Sequence, residues 1–268
     1  MDPSDTTRLK LTVHYDGSAF HGWQFQPDHR TVQGELEATL TRLANSPRTV
    51  VGSGRTDTGV HATGQVVSVD MPASWNAPAL RKSLNATLPR DIWIEAADEA
   101  PPGFHPRFDA IARTYRYDVG TEALAGSPFH RRWCWALDEP LDPGVLPRLA
   151  EALPGTHSFR GFSKSGQPQR GYDCTVGRAS WSRWELGFRF EITANRYLHH
   201  MVRYLVGTMI EIGRGKRPEQ DLQALLEGDP DLVTSPPAPP EGLFLALVEY
   251  PSGSPTAAEP TNRSNNQA

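Results

Sequence analysis

One acid stands alone among glycines. In Gly52-Ser53-Gly54-Arg55-Thr56-Asp57-Thr58-Gly59-Val60-His61-Ala62-Thr63-Gly64-Gln65 the only carboxylate is Asp57, with Arg55 and His61 nearby in sequence. Glycines let a loop approach a ligand closely or take positive φ. Neither the Walker spacing nor the dinucleotide-binding spacing is present, so this is not an ordinary phosphate loop. Two readings stay open at this level: a turn capped by an aspartate, and a reactive carboxylate displayed on a loop.

A second chemically rich stretch is Asn195-Arg196-Tyr197-Leu198-His199-His200-Met201-Val202-Arg203. Leu198, Met201, Val202 and Leu205 form an apolar stripe, which places His199 and Arg203 one turn apart on another face of a helix. Adjacent histidines on a helix diverge by about 100°, and no acid follows at helical spacing, so a metal site here reads as poor. In a third stretch, Arg113-Thr114-Tyr115-Arg116-Tyr117, period-two alternation puts Tyr115 on one strand face with Arg113 and Tyr117. Aromatic and arginine side chains on an open sheet face can stack nucleic-acid bases, although a core tyrosine explains any single such residue equally simply.

Elements that would position these groups follow from periodicity. Leu9, Leu11, Val13 and Tyr15 alternate with polar residues up to the turn Asp16-Gly17. Thr31 reads as an N-cap before a helix carrying Val32, Leu36, Leu40 and Leu43. Strands are expected at 65–70, 91–97, 107–119, 133–137 and 184–192, with another beginning at Leu243. Helices are expected at 78–87 and 143–153, and from Leu198 to Gly213. The pattern describes two α+β halves whose strands join in one mostly antiparallel sheet.

The chain has 268 residues, of which 38% are hydrophobic and 22% charged, which excludes wholesale disorder. No apolar run is long enough for a membrane span, and the polar N-terminus does not read as a secretory signal. Cys134 and Cys174 are too few for a disulfide framework and lack metal spacing, which points to a reducing cytoplasm. The net charge of −4 argues against a nucleic-acid partner until its distribution is considered. Residues 155–217 carry eleven Lys/Arg against four Asp/Glu, a local surface suited to a phosphate backbone, or simply a solvated face. Beyond Pro251 the Ser/Pro/Asn-rich tail is expected to be disordered.

Taken together the segments resemble the tRNA pseudouridine synthase A family. The matching pieces are Tyr15-Asp16-Gly17 with Gly22-Trp23-Gln24, Thr31-Val32-Gln33 with Leu36-Glu37, Gly54-Arg55-Thr56-Asp57 with Gly59-Val60-His61-Ala62, and Asn85-Ala86-Thr87-Leu88-Pro89. Phe104-His105-Pro106-Arg107-Phe108, Tyr115-Arg116-Tyr117, Leu198 to Arg203, Gly207, and Gly242-Leu243-Phe244-Leu245 follow in family order. Thr58 stands where the family more often has Ala. The resemblance implies two ferredoxin/RRM-like halves, residues 1–104 and 105–250, sharing one mostly antiparallel sheet flanked by helices, with the active-site cleft between them.

It also implies an isomerase that converts uridine to pseudouridine in the anticodon stem-loop of tRNA, with no cofactor and no metal, acting in the cytoplasm as a homodimer. Asp57 is then the catalytic nucleophile, kept ionised by an ion pair from Arg203. Burial alone would raise a lone carboxylate's pKa, and a guanidinium able to grip it bidentately is the remedy. By the same resemblance Tyr115 stacks on the target base and can help remove its C5 proton, Leu243 or Leu245 lies beneath the site, and Arg55 contacts phosphate or base. A uridine within a stem has to be flipped out, so shape and backbone are what the protein reads. Two other classes stay in view: an RNA-binding protein or chaperone without chemistry, and an aspartate glycosidase, which would need a second carboxylate.

Overall fold

The computed structural model describes residues 6–164 and 171–251; the tail expected beyond Pro251 lies outside them. Ten strands form one sheet: β1 (Thr6–Tyr15), β2 (Val51–Gly52), β3 (His61–Pro72), β4 (Ile92–Glu99), β5 (Ala112–Gly120), β6 (Trp135–Ala136), β7 (Gly155–Ser158), β8 (Asp173–Trp184), β9 (Gly187–Ala194) and β10 (Leu243–Glu249). Their order is β4-β1-β3-β10-β5-β9-β8-β7, with β2 paired to β3 and β6 to β5. All pairings are antiparallel except β3 with β10 and β5 with β6. Among the described residues five α-helices accompany the sheet: α1 (Val32–Ala44), α2 (Ala77–Thr87), α3 (Val145–Glu151), α4 (Met201–Gly213) and α5 (Gln220–Glu227). None is long and apolar enough to cross a membrane.

The helices start where their caps say they should. Thr31 Oγ1 accepts the Gly34 N–H at 3.2 Å, and Asn76 Oδ1 accepts that of Ala79 at 2.9 Å. Leu36, Leu40, Leu80 and Leu84 then bury completely against Leu9, Leu11, Val67 and Val69, about 2 kcal/mol of hydrophobic stabilisation for each such leucine. A second core gathers Leu146 and Leu149 of α3, Leu205 and Met209 of α4, and Phe188, Phe190 and Ile192 of β9. The seam between the cores is the parallel pairing Phe244↔His61 and Leu245↔Ala62. Leu243 packs in the second core and Leu245 in the first, while Tyr115 touches both.

Three expectations need correction. Residues 107–111 do not extend β5. They belong to a turn after Pro106 in which Asp109 accepts the His105 N–H at 2.9 Å and His105 Nδ1 accepts those of Arg107 and Phe108. Trp184 ends β8 rather than opening β9; Trp184 pairs with Gly187 across a turn, and Leu186 packs with Ala125 and Cys134 instead of on the sheet. Helix α4 begins at Met201, three residues later than its apolar stripe predicts. β2, β7, β8 and α5 were not anticipated.

Candidate active site

Asp57 rides on a loop fastened from below. Ser53 N–H donates to Val66 O at 2.8 Å, Ser53 Oγ to Gln65 Oε1 at 2.6 Å, and Gln65 Nε2 to Gly54 O at 2.9 Å. Trp23 N–H donates to Thr56 O at 3.0 Å, and Thr56 Oγ1 lies 2.7 Å from the buried Tyr15 hydroxyl. Two glycines are obligatory here. A Cβ on Gly22 (φ +86°) would come within 2.7 Å of Thr56 O, and one on Gly59 (φ +79°) within 2.9 Å of the Pro240 ring. His61 turns away from this loop: its Nδ1 accepts the Gly17 N–H at 3.0 Å, and its ring stacks on Phe244 at 4.7 Å.

Three basic side chains converge on the Asp57 carboxylate. His199 Nε2 is 3.3 Å from Oδ1, His200 Nε2 is 3.3 Å from Oδ2, and Arg203 Nη1 is 3.9 Å from Oδ2. The carboxylate keeps 25% of its side chain exposed and Arg203 13%. The expected ion pair is therefore present, but as a single long contact and not the bidentate grip anticipated. The guanidinium's Nε is given instead to Ala238 O at 2.7 Å, and Ala238 N–H returns a bond to Arg203 O at 2.9 Å. That reciprocal clamp fixes Arg203 against the segment leading into β10.

The sequence pattern discounts the two histidines as a pair because it places them inside the helix. They precede it. His200 sits at the N-cap of α4 with φ 64° and ψ 5°, and Lys164 N–H donates to His199 O at 3.0 Å, so divergence by a helical step does not apply. Among the described residues, Asp57, His199 and His200 form a group whose donor atoms all lie within 4.8 Å of one another, near enough to share a divalent ion. Burial pulls the His200 imidazole below its ordinary value, with Asp57 pulling the other way.

Tyr115 lies beside this cluster, its ring edge-on to Tyr197 at 4.8 Å. Burial foremost, then the charge of Asp57, push its phenol well above the ordinary tyrosine range. At neutral pH it is a protonated donor and a flat surface, not a base. Leu245 is opposite Tyr115 in the β5–β10 ladder, and Leu243 opposite Tyr117; both leucines are buried. Tyr117 is fully buried, and Arg113 spends its guanidinium on the carbonyls of Ser53, Arg107, Ala110 and Asn195. Of the aromatic and arginine face read from 113–117, Arg113 and Tyr115 are both partly exposed, but with Arg113's guanidinium occupied it is Tyr115 that is left for a ligand. Arg55 is exposed beside Asp57.

A family model described as tRNA pseudouridine synthase matches residues 11–109 and 149–251, three-quarters of the chain and both cores. The chain belongs to the tRNA pseudouridine synthase family. Among its relatives, a protein named tRNA pseudouridine synthase A from Moorella thermoacetica is 41% identical, with 90% of this chain and 99% of that protein aligned. Proteins of the same name from Syntrophomonas wolfei and Chloroflexus aurantiacus are 37% and 38% identical, over 92% and 96% of this chain and 99% and 94% of theirs. A solved Cbf5-Nop10-Gar1 complex aligns with 75% of this chain and 53% of that one at 10% identity and a TM-score of 0.31, a likeness too slight to bear weight. The family match includes Asp57 and the whole of α4 with Arg203; the unmatched interval 110–148 holds β6 and β5, Tyr115 with it.

Proposed function

We propose that this chain isomerises uridine to pseudouridine in the anticodon stem-loop of tRNA, with Asp57 as the catalytic carboxylate. The N1–C1′ bond breaks with its electron pair leaving on the uracil, the base turns, C5 bonds to C1′, and the C5 proton departs while N1 regains one. Asp57 serves the sugar side, either by attacking C1′ or by taking a ribose proton to give a glycal. Bond-breaking and bond-forming atoms all belong to the substrate and one carboxylate, so the step calls for neither cofactor nor metal.

One observation carries the reading: Asp57 of the first core meets Arg203 of the second at the seam, beside Tyr115, in a chain whose family match spans both. Arg203 supplies positive potential, the histidines orient the carboxylate, Tyr115 gives a surface for the flipped base, Leu243 and Leu245 an apolar floor, and Arg55 a contact to phosphate or base. In this reading two ferredoxin/RRM-like halves, 1–104 and 105–250, are organised about these two cores, with the cleft between them. The working form is a cytoplasmic homodimer that holds tRNA through its basic surfaces.

The test is to incubate purified protein with unmodified tRNA transcripts and map pseudouridine by nucleotide. Product in the anticodon stem-loop, lost in Asp57→Asn, supports the reading. Tight tRNA binding with no product would favour a non-catalytic RNA-binding protein, and free uracil among the products a glycosidase.

A further inference from the structure

Among the described residues, three other than glycine hold a positive φ: Asn45, Asp138 and His200. Asn45 ends α1 as its C-cap, a place where a left-handed asparagine is ordinary. A histidine in that region, at 64°, is uncommon and carries a backbone cost that its surroundings offset. No side-chain cap is gained, for His200 makes no capping bond to the helix it precedes. Its imidazole goes to Asp57 instead.

The left-handed residue lets two consecutive histidines present Nε2 to the same carboxylate, each at 3.3 Å, one to each oxygen. Neighbours on a continuous helix cannot do that. The two are not equivalent: His199 has 56% of its side chain exposed and His200 16%. Arg203 approaches the same Oδ2 only to 3.9 Å, held back by its bond to Ala238 O. His200 is thus the better enclosed and nearer of the two groups at Oδ2. Its backbone is tied as well, with Tyr204 N–H donating to His200 O at 3.0 Å.

We propose that His200 is a positioning residue for Asp57, its left-handed backbone aiming the imidazole at Oδ2 so that the carboxylate is held in one orientation toward the substrate sugar. The inference rests on the isomerase reading, and it adds a second latch between the acid loop and the helix that brings Arg203. A neutral imidazole suits the task, because it orients the oxygen without neutralising it as a close guanidinium would. The groups around His200 are Asp57, Arg203, His199 and Lys164.

Three variants separate backbone from side chain. His200→Gly relieves the strained φ and deletes the ring; kcat on tRNA should fall by about tenfold or more, with KM within roughly twofold and the thermal midpoint no lower than wild type. His200→Asn, which accepts the left-handed region and retains a polar side chain, should recover kcat to within about threefold. His200→Ala should lose both activity and stability. A Gly variant with wild-type kcat overturns the inference, as does a loss confined to KM or to the melting temperature. A contact readout needs no tRNA: Asp57→Asn should move the His200 ring titration, followed by NMR, downward as its stabilising negative charge is removed. An unmoved titration overturns the inference whether or not the chain is active, whereas a wild-type chain that makes no pseudouridine sinks the isomerase reading instead.

Discussion

Asp118 and Asp57 both meet arginine, in opposite ways. Asp118 in β5 has 5% of its side chain exposed and receives Arg189 on both oxygens, at 2.6 and 3.1 Å, with Arg116 Nε at 3.2 Å. Asp57 receives one guanidinium nitrogen at 3.9 Å and two imidazoles, and stays a quarter exposed. The first arrangement consumes the carboxylate's lone pairs and immobilises it, as a structural ion pair should. The second sets one distant guanidinium and two imidazoles around a carboxylate that stays partly open to a ligand. A close bidentate grip would have competed with the substrate for the same lone pairs.

The contrast can be broken from either end. Asp57→Asn keeps the shape and removes the charge, so turnover should fall by about 10³-fold or more while the melting temperature stays near wild type. Retained turnover would end its catalytic assignment. Arg203→Ala should lower kcat by about 10²-fold; wild-type kinetics would show that the histidines alone sustain the acid. Asp118→Asn reverses the pattern: it strands Arg189 and Arg116 and should cost about 2–3 kcal/mol of stability, seen as a fall of several degrees in melting temperature, with activity per folded molecule preserved.

The smallest effect belongs to a third pair, Arg8 with Asp70, whose side chains are 37% and 45% exposed. The Arg8 hydrogen bond, working against burial, holds the Asp70 carboxyl below the usual carboxylate range. Its stabilisation is therefore present above that range and lost as pH falls through the depressed value. Solvent screening keeps it under about 1 kcal/mol, so Arg8→Ala should shift an acid-unfolding curve only slightly.

Much of this was legible in the sequence wherever one local rule decided the outcome. Thr31 announced its helix, and β9 from Phe188 onward declared itself by alternation. β8 escaped notice because arginine, serine and glycine on its open face dilute the apolar positions Cys174, Val176 and Trp181. The segment 107–111 looked like strand because its apolar residues alternate, but a turn held by His105 and Asp109 overrides that pattern. Asp57, Arg203 and Tyr115 came from motifs whose order matched a family. The placement of His199 and His200 beside Asp57 did not, since an apolar stripe starting at Leu198 suggests a helix already under way, and nothing in residue type signals the single left-handed residue that interrupts it. Arg113 was not legible either: two of its four carbonyl partners, Ser53 and Asn195, come from distant stretches of chain that only the fold brings together.

The pairing of β10 between β3 and β5 has a consequence for assembly. A ribosome delivers residues 243–249 long after residues 61–72, so the emerging first core exposes the unpaired edge of β3 throughout that wait. Until the late strand slots in, Leu245 is missing from beneath Tyr115, and Ala238 is not anchored where it restrains Arg203. Competence for chemistry is thereby postponed to one of the last folding events, and such distant pairing makes that event slow. A nascent chain would pass most of its synthesis unable to act on RNA.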